Sequence, residues 1–316
     1  MCGTPWAYIE PARNDMRKER GLIMEEKTFL GKTKHFLMFA GPAMVGFIAV
    51  VIIPFIYGLY LTFTDWGGIG NQKNLVGFAN YITVFKDGDF WKSLLLTLGY
   101  VIISVILINL VAFILAYLLT SGMKAQNFFR AGFFTPNLIG GIVLGFIWQF
   151  VFTRTLPVIG QSLGIPLFEK SWLSDPTTAF WAFVIVTVWQ YSGYMMLIYV
   201  AGFVGVPKDL TEAASIDGCT GFQVTRYVTI PLMVPSFVIC LFLSLTRTFM
   251  VYDLNLSLTN GGPYESTKMS AMYVYQMAFN SQRYGVGQAE AIILFIVVAV
   301  VALTQTYLGK RMEVDA

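Results

Sequence analysis

Stretches of about twenty residues with almost no charged side chain are the feature that most constrains this chain. Of its 316 residues, 56% are hydrophobic and only 12% are charged, whereas roughly a quarter of a soluble domain is charged. In lipid, a backbone must satisfy its own polar groups, which a helix does within one segment. The sequence therefore predicts an all-α integral membrane protein.

Six stretches are long and apolar enough to cross a bilayer as helices. Two further uncharged runs fail: 155–168 is interrupted by prolines and glycines, and 269–282 is short and polar. We expect a polytopic protein with six transmembrane helices, at 36–62, 94–119, 131–152, 179–203, 232–252 and 291–308.

These spans define a membrane domain at 36–309, between a charged N-terminal tail at 1–35, expected to be disordered, and a short C-terminal tail at 310–316. Met24 is a plausible alternative start, with 1–23 an extension. Most of the 21 Lys and Arg lie in segments that share one side if the N-terminus is inside. Because such residues concentrate in cytoplasmic loops, we expect both termini in the cytoplasm.

Several classes of function are disfavoured by what the sequence lacks. His35 is the only histidine and the three cysteines are far apart, so no catalytic or metal-binding cluster is expected. The sequence has no GxxxxGK[ST] phosphate-binding loop. No carboxylate lies within the six predicted spans, which disfavours an ion-coupled secondary transporter, the alternative from another class. Nothing indicates nucleic-acid binding.

The polar segment at 204–231 is predicted to contain a short helix between two spans. Pro207 suits a first helical turn, and Asp209 and Glu212 place negative charge near its positive end. Gly218 is placed to end the helix in a left-handed conformation, and a second helix is expected at about 221–227. Small alanines beside Glu212 would let another protein approach closely.

This segment also carries the pattern E-A-A-x3-G-x9-I-x-L-P, with Val228 and Ile230 in its aliphatic places and Pro231 at its end. It resembles the signature loop of membrane subunits in binding-protein-dependent ABC importers. There, the loop forms the helix that docks on the cytoplasmic ATPase. The resemblance implies an ATPase-coupling role for Asp209, Glu212, Ala213, Ala214, Asp217 and Gly218.

The resemblance extends over 36–311, including GLYLTFTDW at 58–66, the segment 189–196 and TNGGP at 259–263. These segments are similar to the larger membrane subunit of maltose and multiple-sugar importers, without the extra N-terminal spans and outer domain of the enterobacterial maltose subunit. The resemblance implies the MetI-like permease fold of Type I ABC importers, sugar import and a bacterial plasma-membrane location. It also implies as partners a second homologous permease, two ATP-binding subunits that hold ATP and Mg²⁺, and an extracellular solute-binding protein.

Polar residues in the fourth predicted span are candidates for a solute pathway. Their spacing of i, i+3, i+4 and i+7 places them on one helical face. Amide and phenol groups hydrogen-bond sugar hydroxyls, and aromatic rings stack on apolar sugar faces. Packing against another helix is the alternative. The residues are Thr187, Gln190, Tyr191 and Tyr194.

The fifth predicted span carries a comparable face with Ser244, Arg247, Thr248 and Val251. Arg247 is the only charge well within a predicted span, and Asp253 is an unlikely partner because it faces elsewhere. We expect Arg247 to face an aqueous cavity, to pair with another subunit or to extend to the membrane surface. Its charge favours, within the importer class, an anionic solute such as glycerol phosphate or an acidic sugar as the alternative substrate.

Overall fold

The structure, a computed structural model, describes residues 29–70 and 73–312, and in these it is helical with one isolated β-bridge between Thr64 and Leu75. The all-α prediction is confirmed. The predictions for residues 1–28 lie outside the described residues. In chain order the helices are α1 His35–Leu61, α2 Ala79–Lys86, α3 Gly88–Thr120, α4 Gln126–Phe134, α5 Gly141–Leu163, α6 Pro176–Gly205, α7 Lys208–Ile216, α8 Gly221–Leu232, α9 Val234–Phe249, α10 Asp253–Leu258, α11 Ser270–Tyr275 and α12 Tyr284–Lys310.

Helices α1, α3, α5, α6 and α12 are each long and apolar enough to cross a membrane. Helices α8 and α9 are long and apolar enough only when taken together, and they are bent by 67° at the break between them. The predicted six-span architecture is therefore confirmed when this bent pair is counted as one. The described residues up to Tyr60, which include all of α1 except its last residue, form one of two compact units. No residue in the most apolar stretch of α1 is buried.

The predicted third span at 131–152 is wrong in its bounds, because the chain is not one helix there. Helix α4 ends at Phe134, a 3-10 turn follows at Thr135–Leu138, and Gly140 is extended before α5 begins. We call the segment 135–140 the α4–α5 break. Proline and glycine in this segment interrupt the helical hydrogen bonds.

The segment 155–168 is not a span of its own, as predicted, but its first part belongs to the third span, since α5 continues to Leu163. A π-helical turn at Val151–Thr155 precedes Pro157, which then falls in the first turn of the helical segment that follows. Its missing N–H is tolerated at that position. Helix α5 also carries Arg154, so Arg247 is not the only cation in a membrane helix.

The last membrane helix is longer than predicted and begins at Tyr284 instead of 291. A Cβ atom on Gly285 would lie 2.2 Å from the Thr64 carbonyl oxygen, so only glycine lets the start of α12 pack this closely. The longer helix includes Glu290, which is fully buried. The expectation that no carboxylate lies within a membrane helix is therefore wrong.

Helix α6 lies at the centre of the unit that begins at Leu61. In its most apolar stretch, 61% of the residues are buried. It packs along α3, where the Tyr100 hydroxyl hydrogen-bonds the Thr187 hydroxyl at 2.7 Å. The Tyr199 hydroxyl donates to Asn109 Oδ1 at 2.8 Å. These polar links fix α6 against α3 and so position the other residues of α6.

Candidate functional site

The α4–α5 break lies against the middle of α6. The Ile139 carbonyl accepts a hydrogen bond from Gln190 Nε2 at 3.2 Å, and Gln190 is midway along α6. A Cβ atom on Gly193 would lie 1.8 Å from the Phe133 carbonyl oxygen, so the chain touches α6 here only because residue 193 is glycine. Non-helical backbone at this depth is tolerated only where protein or a water-filled cavity surrounds it.

Arg247 of α9 reaches this same region. Its Nη1 donates to Asn137 Oδ1 in the α4–α5 break at 2.7 Å. The guanidinium carbon lies 4.6 Å from the ring centre of Tyr194 and 5.3 Å from that of Tyr191, distances at which a cation is attracted to the ring face. Arg247 is thus held by groups of its own chain.

No carboxylate forms an ion pair with Arg247 in the part of the chain that the structure describes. The ion pairs found there join Lys92 to Asp89 and Lys268 to Glu265. The guanidinium has five N–H donors and cannot lose its charge. Its remaining donors are available to oxygen acceptors of a bound molecule.

Beside this cluster is a cavity of about 180 Å³ with both polar and apolar walls. Burial and the nearby Tyr275 raise the pKa of Tyr252, so the hydroxyl of this residue stays protonated at neutral pH. The cavity thus offers hydrogen-bonding groups, among them the Asp253 carboxylate, together with aromatic surface. The lining residues are Gly141, Gln190, Tyr191, Met250, Val251, Tyr252, Asp253 and Leu254.

Three of the predicted solute residues lie instead in helix packing. Thr187 is fully buried against Tyr100. Ser244 is fully buried, donates to the Cys240 carbonyl at 2.7 Å and accepts from Asn109 Nδ2. Thr248, also buried, donates to the Ser244 carbonyl at 2.7 Å. The structure brings together the other five: Gln190, Tyr191, Tyr194, Arg247 and Val251.

Sequence reasoning missed Asn137 and the Ile139 carbonyl. Both belong to Thr-Pro-Asn-Leu-Ile-Gly-Gly at 135–141, whose proline and paired glycines are signals for a turn. Read as part of a continuous apolar span, this segment was assigned to a helix. These residues predict a turn, but they do not predict which side chains of other helices contact it.

The segment after α6 has the predicted helical hairpin. Pro207 occupies the N-cap of α7, one position before the helix, and Asp209 lies in its first turn. Gly218 has a φ of 85° and follows the end of α7, as predicted. Helix α8 begins with a capping box formed by Thr220 and Gln223 and is longer than the expected 221–227.

The surface of this hairpin is open. Glu212 and Asp217 are exposed, as are large apolar side chains: Ile216 at 85% and Phe222 at 77% of their surface. Exposed apolar groups beside a carboxylate are typical of a surface that another protein covers. The arrangement can therefore bind a partner by packing and by a charge-assisted hydrogen bond.

Comparison with known proteins places this architecture in a family. The model for "Binding-protein-dependent transport system inner membrane component" matches residues 108–314, which include both regions described above. The chain is 43% identical over 280 residues to the probable starch degradation products transport system permease protein AmyD of Thermoanaerobacterium thermosulfurigenes, covering 89% of this chain and 95% of that one. It is 34% identical over 265 residues to the multiple sugar-binding transport system permease protein MsmF of Streptococcus mutans, covering 83% and 90%.

A solved structure has the same fold at lower sequence identity. A chain of a bacterial ABC transporter involved in the import of the acidic polysaccharide alginate superposes with a TM-score of 0.77, at 19% identity and with 88% of this chain and 96% of that one covered. The family model covers more than half of the chain, and relatives are matched over nearly their full length. The chain therefore belongs to the family of binding-protein-dependent transport system inner membrane components, as a multi-pass permease subunit of an ABC importer.

Proposed function

We propose that this permease imports a sugar or oligosaccharide through a pathway lined by Gln190, Tyr191, Tyr194 and Arg247. The observation that carries the proposal is the cluster of amide, phenol and guanidinium groups midway along α6, beside a cavity with polar walls. The names of the relatives, which refer to starch degradation products and to multiple sugars, support the same class of solute.

The chemistry of the cluster suits a carbohydrate. Hydroxyl groups of a sugar both donate and accept hydrogen bonds, so the Gln190 amide and the tyrosine hydroxyls match them. The aromatic faces of Tyr191 and Tyr194 stack on the apolar faces of pyranose rings. Each such interaction is modest, which suits a pathway that must release its solute.

The complex requires further subunits. A binding-protein-dependent ABC importer is the assembly to which the family belongs. We propose that it contains a second homologous permease, two ATP-binding subunits that hydrolyse ATP with Mg²⁺, and an extracellular solute-binding protein. Both termini and the α7 hairpin then lie on the cytoplasmic side, where exposed Glu212 meets the ATPase.

In this proposal ATP binding draws the two ATPase subunits together and displaces α7. Because α7 directly follows α6, the displacement changes the packing around the cavity and opens it toward the outside. Sugar then enters from the binding protein, and ATP hydrolysis restores the inward-open state. The residues of this chain bind and guide the solute and form or break no covalent bond.

An anionic solute is the second candidate, and it too is favoured by an observation. Among the described residues, Arg247 contacts an amide and two aromatic rings and forms no ion pair, so its charge can pair with a carboxylate or phosphate of the solute. Competition by uronate oligosaccharides or by glycerol phosphate against labelled maltooligosaccharides, in proteoliposomes with the complete complex, distinguishes the two candidates.

The test of the pathway is uptake by Gln190→Ala and Tyr194→Ala complexes. Loss of one hydrogen bond to a neutral sugar is worth about 0.5–1.5 kcal/mol, so we expect uptake to fall several-fold. Tyr194→Ala should lose more, since it also removes a stacking surface. Ile185→Ala, an exposed aliphatic position on another face of α6, is the control. Normal uptake in both variants would remove these residues from the pathway.

The test of coupling is Glu212→Arg. We expect the charge reversal to abolish uptake and co-purification of the ATPase, because it replaces an attractive contact with a repulsive one. Membrane insertion should persist, since Glu212 is exposed. Lys208→Glu, an equal charge reversal at an exposed position of the same helix, controls for changes in net charge. Intact ATPase association in Glu212→Arg would place the docking contact elsewhere.

A further inference from the structure

We propose that Asn137 is a positioning residue that sets the orientation of the Arg247 guanidinium at the solute pathway. The inference rests on the proposed function, since it concerns the same site. The 2.7 Å hydrogen bond between Arg247 Nη1 and Asn137 Oδ1 is the contact on which it stands. Asn137 bonds Arg247 and is not among the residues lining the cavity, so its effect on the solute passes through Arg247.

The α4–α5 break holds Asn137 in a fixed place. On one side, the Phe133 carbonyl lies against Gly193, where any side chain would collide with it. On the other side, the Ile139 carbonyl accepts from Gln190 Nε2. Pro136, which is buried, precedes Asn137 within the 3-10 turn. The backbone before and after Asn137 is thus held against α6, the helix that carries the candidate site.

This anchoring decides where the guanidinium lies. Arg247 comes from α9, on a long side chain that samples many conformations when it is unrestrained. The Asn137 bond holds it 4.6 Å from the Tyr194 ring centre and 5.3 Å from the Tyr191 ring centre. Without this bond, the guanidinium is free to leave the tyrosine faces and the N–H donors lose their common direction.

An amide at position 137 also differs from a carboxylate in its effect on the charge of the guanidinium. Asn137 accepts a hydrogen bond from the guanidinium without neutralising its charge, whereas an aspartate would form an ion pair with it. The charge therefore remains available to oxygen acceptors of the solute. Position 137 is in this way a determinant of specificity: it decides whether the site presents a free cation or a neutral pair.

The experiment is a double-mutant cycle on maltooligosaccharide uptake in proteoliposomes that contain the whole complex. Hydrogen bonds to charged groups are worth more than neutral ones, so we expect Asn137→Ala to lower uptake about five- to tenfold. In an Arg247→Gln background the same change should lower it less than about twofold, because the interaction it removes is already absent. An equal loss in both backgrounds would overturn the inference and assign Asn137 a structural role in the turn.

Asn137→Asp supplies a second readout. It keeps the acceptor oxygen, so we expect it to recover most of the uptake of neutral sugar that Asn137→Ala loses. It should also weaken inhibition by uronate oligosaccharides, since the guanidinium is then paired. An Asp variant as impaired as the Ala variant would overturn the inference, and this comparison decides the matter even if Arg247→Gln has no measurable uptake.

Thr135→Ala is the matched control, since Thr135 lies in the same turn and its hydroxyl donates to the Ala131 carbonyl of α4, away from Arg247. We expect this variant to assemble and to transport. A wild-type complex that moves no carbohydrate would refute the proposed function itself. A wild-type complex that moves sugar while Asn137→Ala transports normally would refute only the role of Asn137.

Discussion

Arg247 and Glu290 are ionisable side chains inside membrane helices of the same chain, and their surroundings differ in kind. Arg247 is partly buried and contacts Asn137 and two tyrosine rings. Glu290 is completely buried, and neither of its carboxyl oxygens has a hydrogen-bond partner among the described residues. One group is surrounded by polar neighbours, and the other by a small core to which Val286, Ala289 and Phe90 belong.

The difference follows from what each group can do about its charge. A guanidinium stays protonated in proteins, so neutral dipoles and rings must stabilise it wherever it is buried. A carboxyl group can bind a proton, and only the neutral form is compatible with burial without a partner. Two charged side chains interact with this position: Asp87 would repel an ionised Glu290, and Arg283 would attract it.

The hydroxyl of Tyr273, a hydrogen-bond donor in the same region as Glu290, already bonds another carboxylate. It donates to Asp87 Oδ2 at 2.8 Å, not to Glu290. Burial and this hydrogen bond to Asp87 raise the pKa of Tyr273, so it remains a phenol. The comparison thus teaches that a buried charge requires its own set of polar neighbours, while a neutral carboxyl group costs less to bury without them.

The strongest attempt to break the comparison is Glu290→Arg. This change puts a group that cannot become neutral into a pocket without partners. Leaving a buried charge uncompensated costs about 3–5 kcal/mol, so we expect loss of the assembled complex. The yield of monodisperse complex and its thermal midpoint measure this. A stable Glu290→Arg complex would mean that the pocket can supply partners that are absent in this conformation.

Arg247→Ala should have the second-largest effect, and it should affect transport more than assembly. Hydrogen bonds to charged groups contribute about 1.5–3 kcal/mol, so we expect uptake to fall at least about tenfold. Arg154→Ala, at an exposed cation in α5, is the matched control and should transport normally. If both variants transport alike, the polar surroundings of Arg247 serve packing and not the solute.

Glu290→Gln should have the smallest effect and sharpens the comparison most. Glutamine has nearly the shape of the protonated carboxyl group, so we expect the stability of the complex to change by no more than about 0.5 kcal/mol. The thermal midpoint and uptake are measured beside the wild type, from about one pH unit below neutrality to about one pH unit above it. A large loss of stability would show that an ionised carboxylate at position 290 has a partner.

The sequence predicts best those parts that depend on local chemistry. The α7 hairpin follows from a proline, two acidic residues and Gly218, each of which acts on neighbouring residues only. Long apolar runs likewise predict membrane helices without reference to the rest of the chain. The face that carries Gln190, Tyr191 and Tyr194 was predicted from helical spacing alone.

The remainder depends on contacts between distant segments. Gly193 admits the Phe133 carbonyl, and nothing near either residue in the sequence signals that meeting. Gly285 lets the start of α12 approach the Thr64 carbonyl, and Glu290 is buried further along the same helix. The same long-range packing places Thr187 against Tyr100, so spacing on a helix predicts a shared face but not which of its members is enclosed.

The continuity of α6 has a mechanical consequence. Its thirty residues form a rod about 45 Å long at 1.5 Å per residue, with no interruption between Gln190 and the end that leads into α7. Its neighbours α4 and α5 are separated by a break, and α8 and α9 by a bend of 67°. A continuous helix transmits a displacement along its axis, whereas a break or a bend lets the segments on either side of it move separately. Under the proposed coupling, loss of that continuity would leave the importer consuming ATP without moving its solute, because a displacement of α7 would no longer reach Gln190.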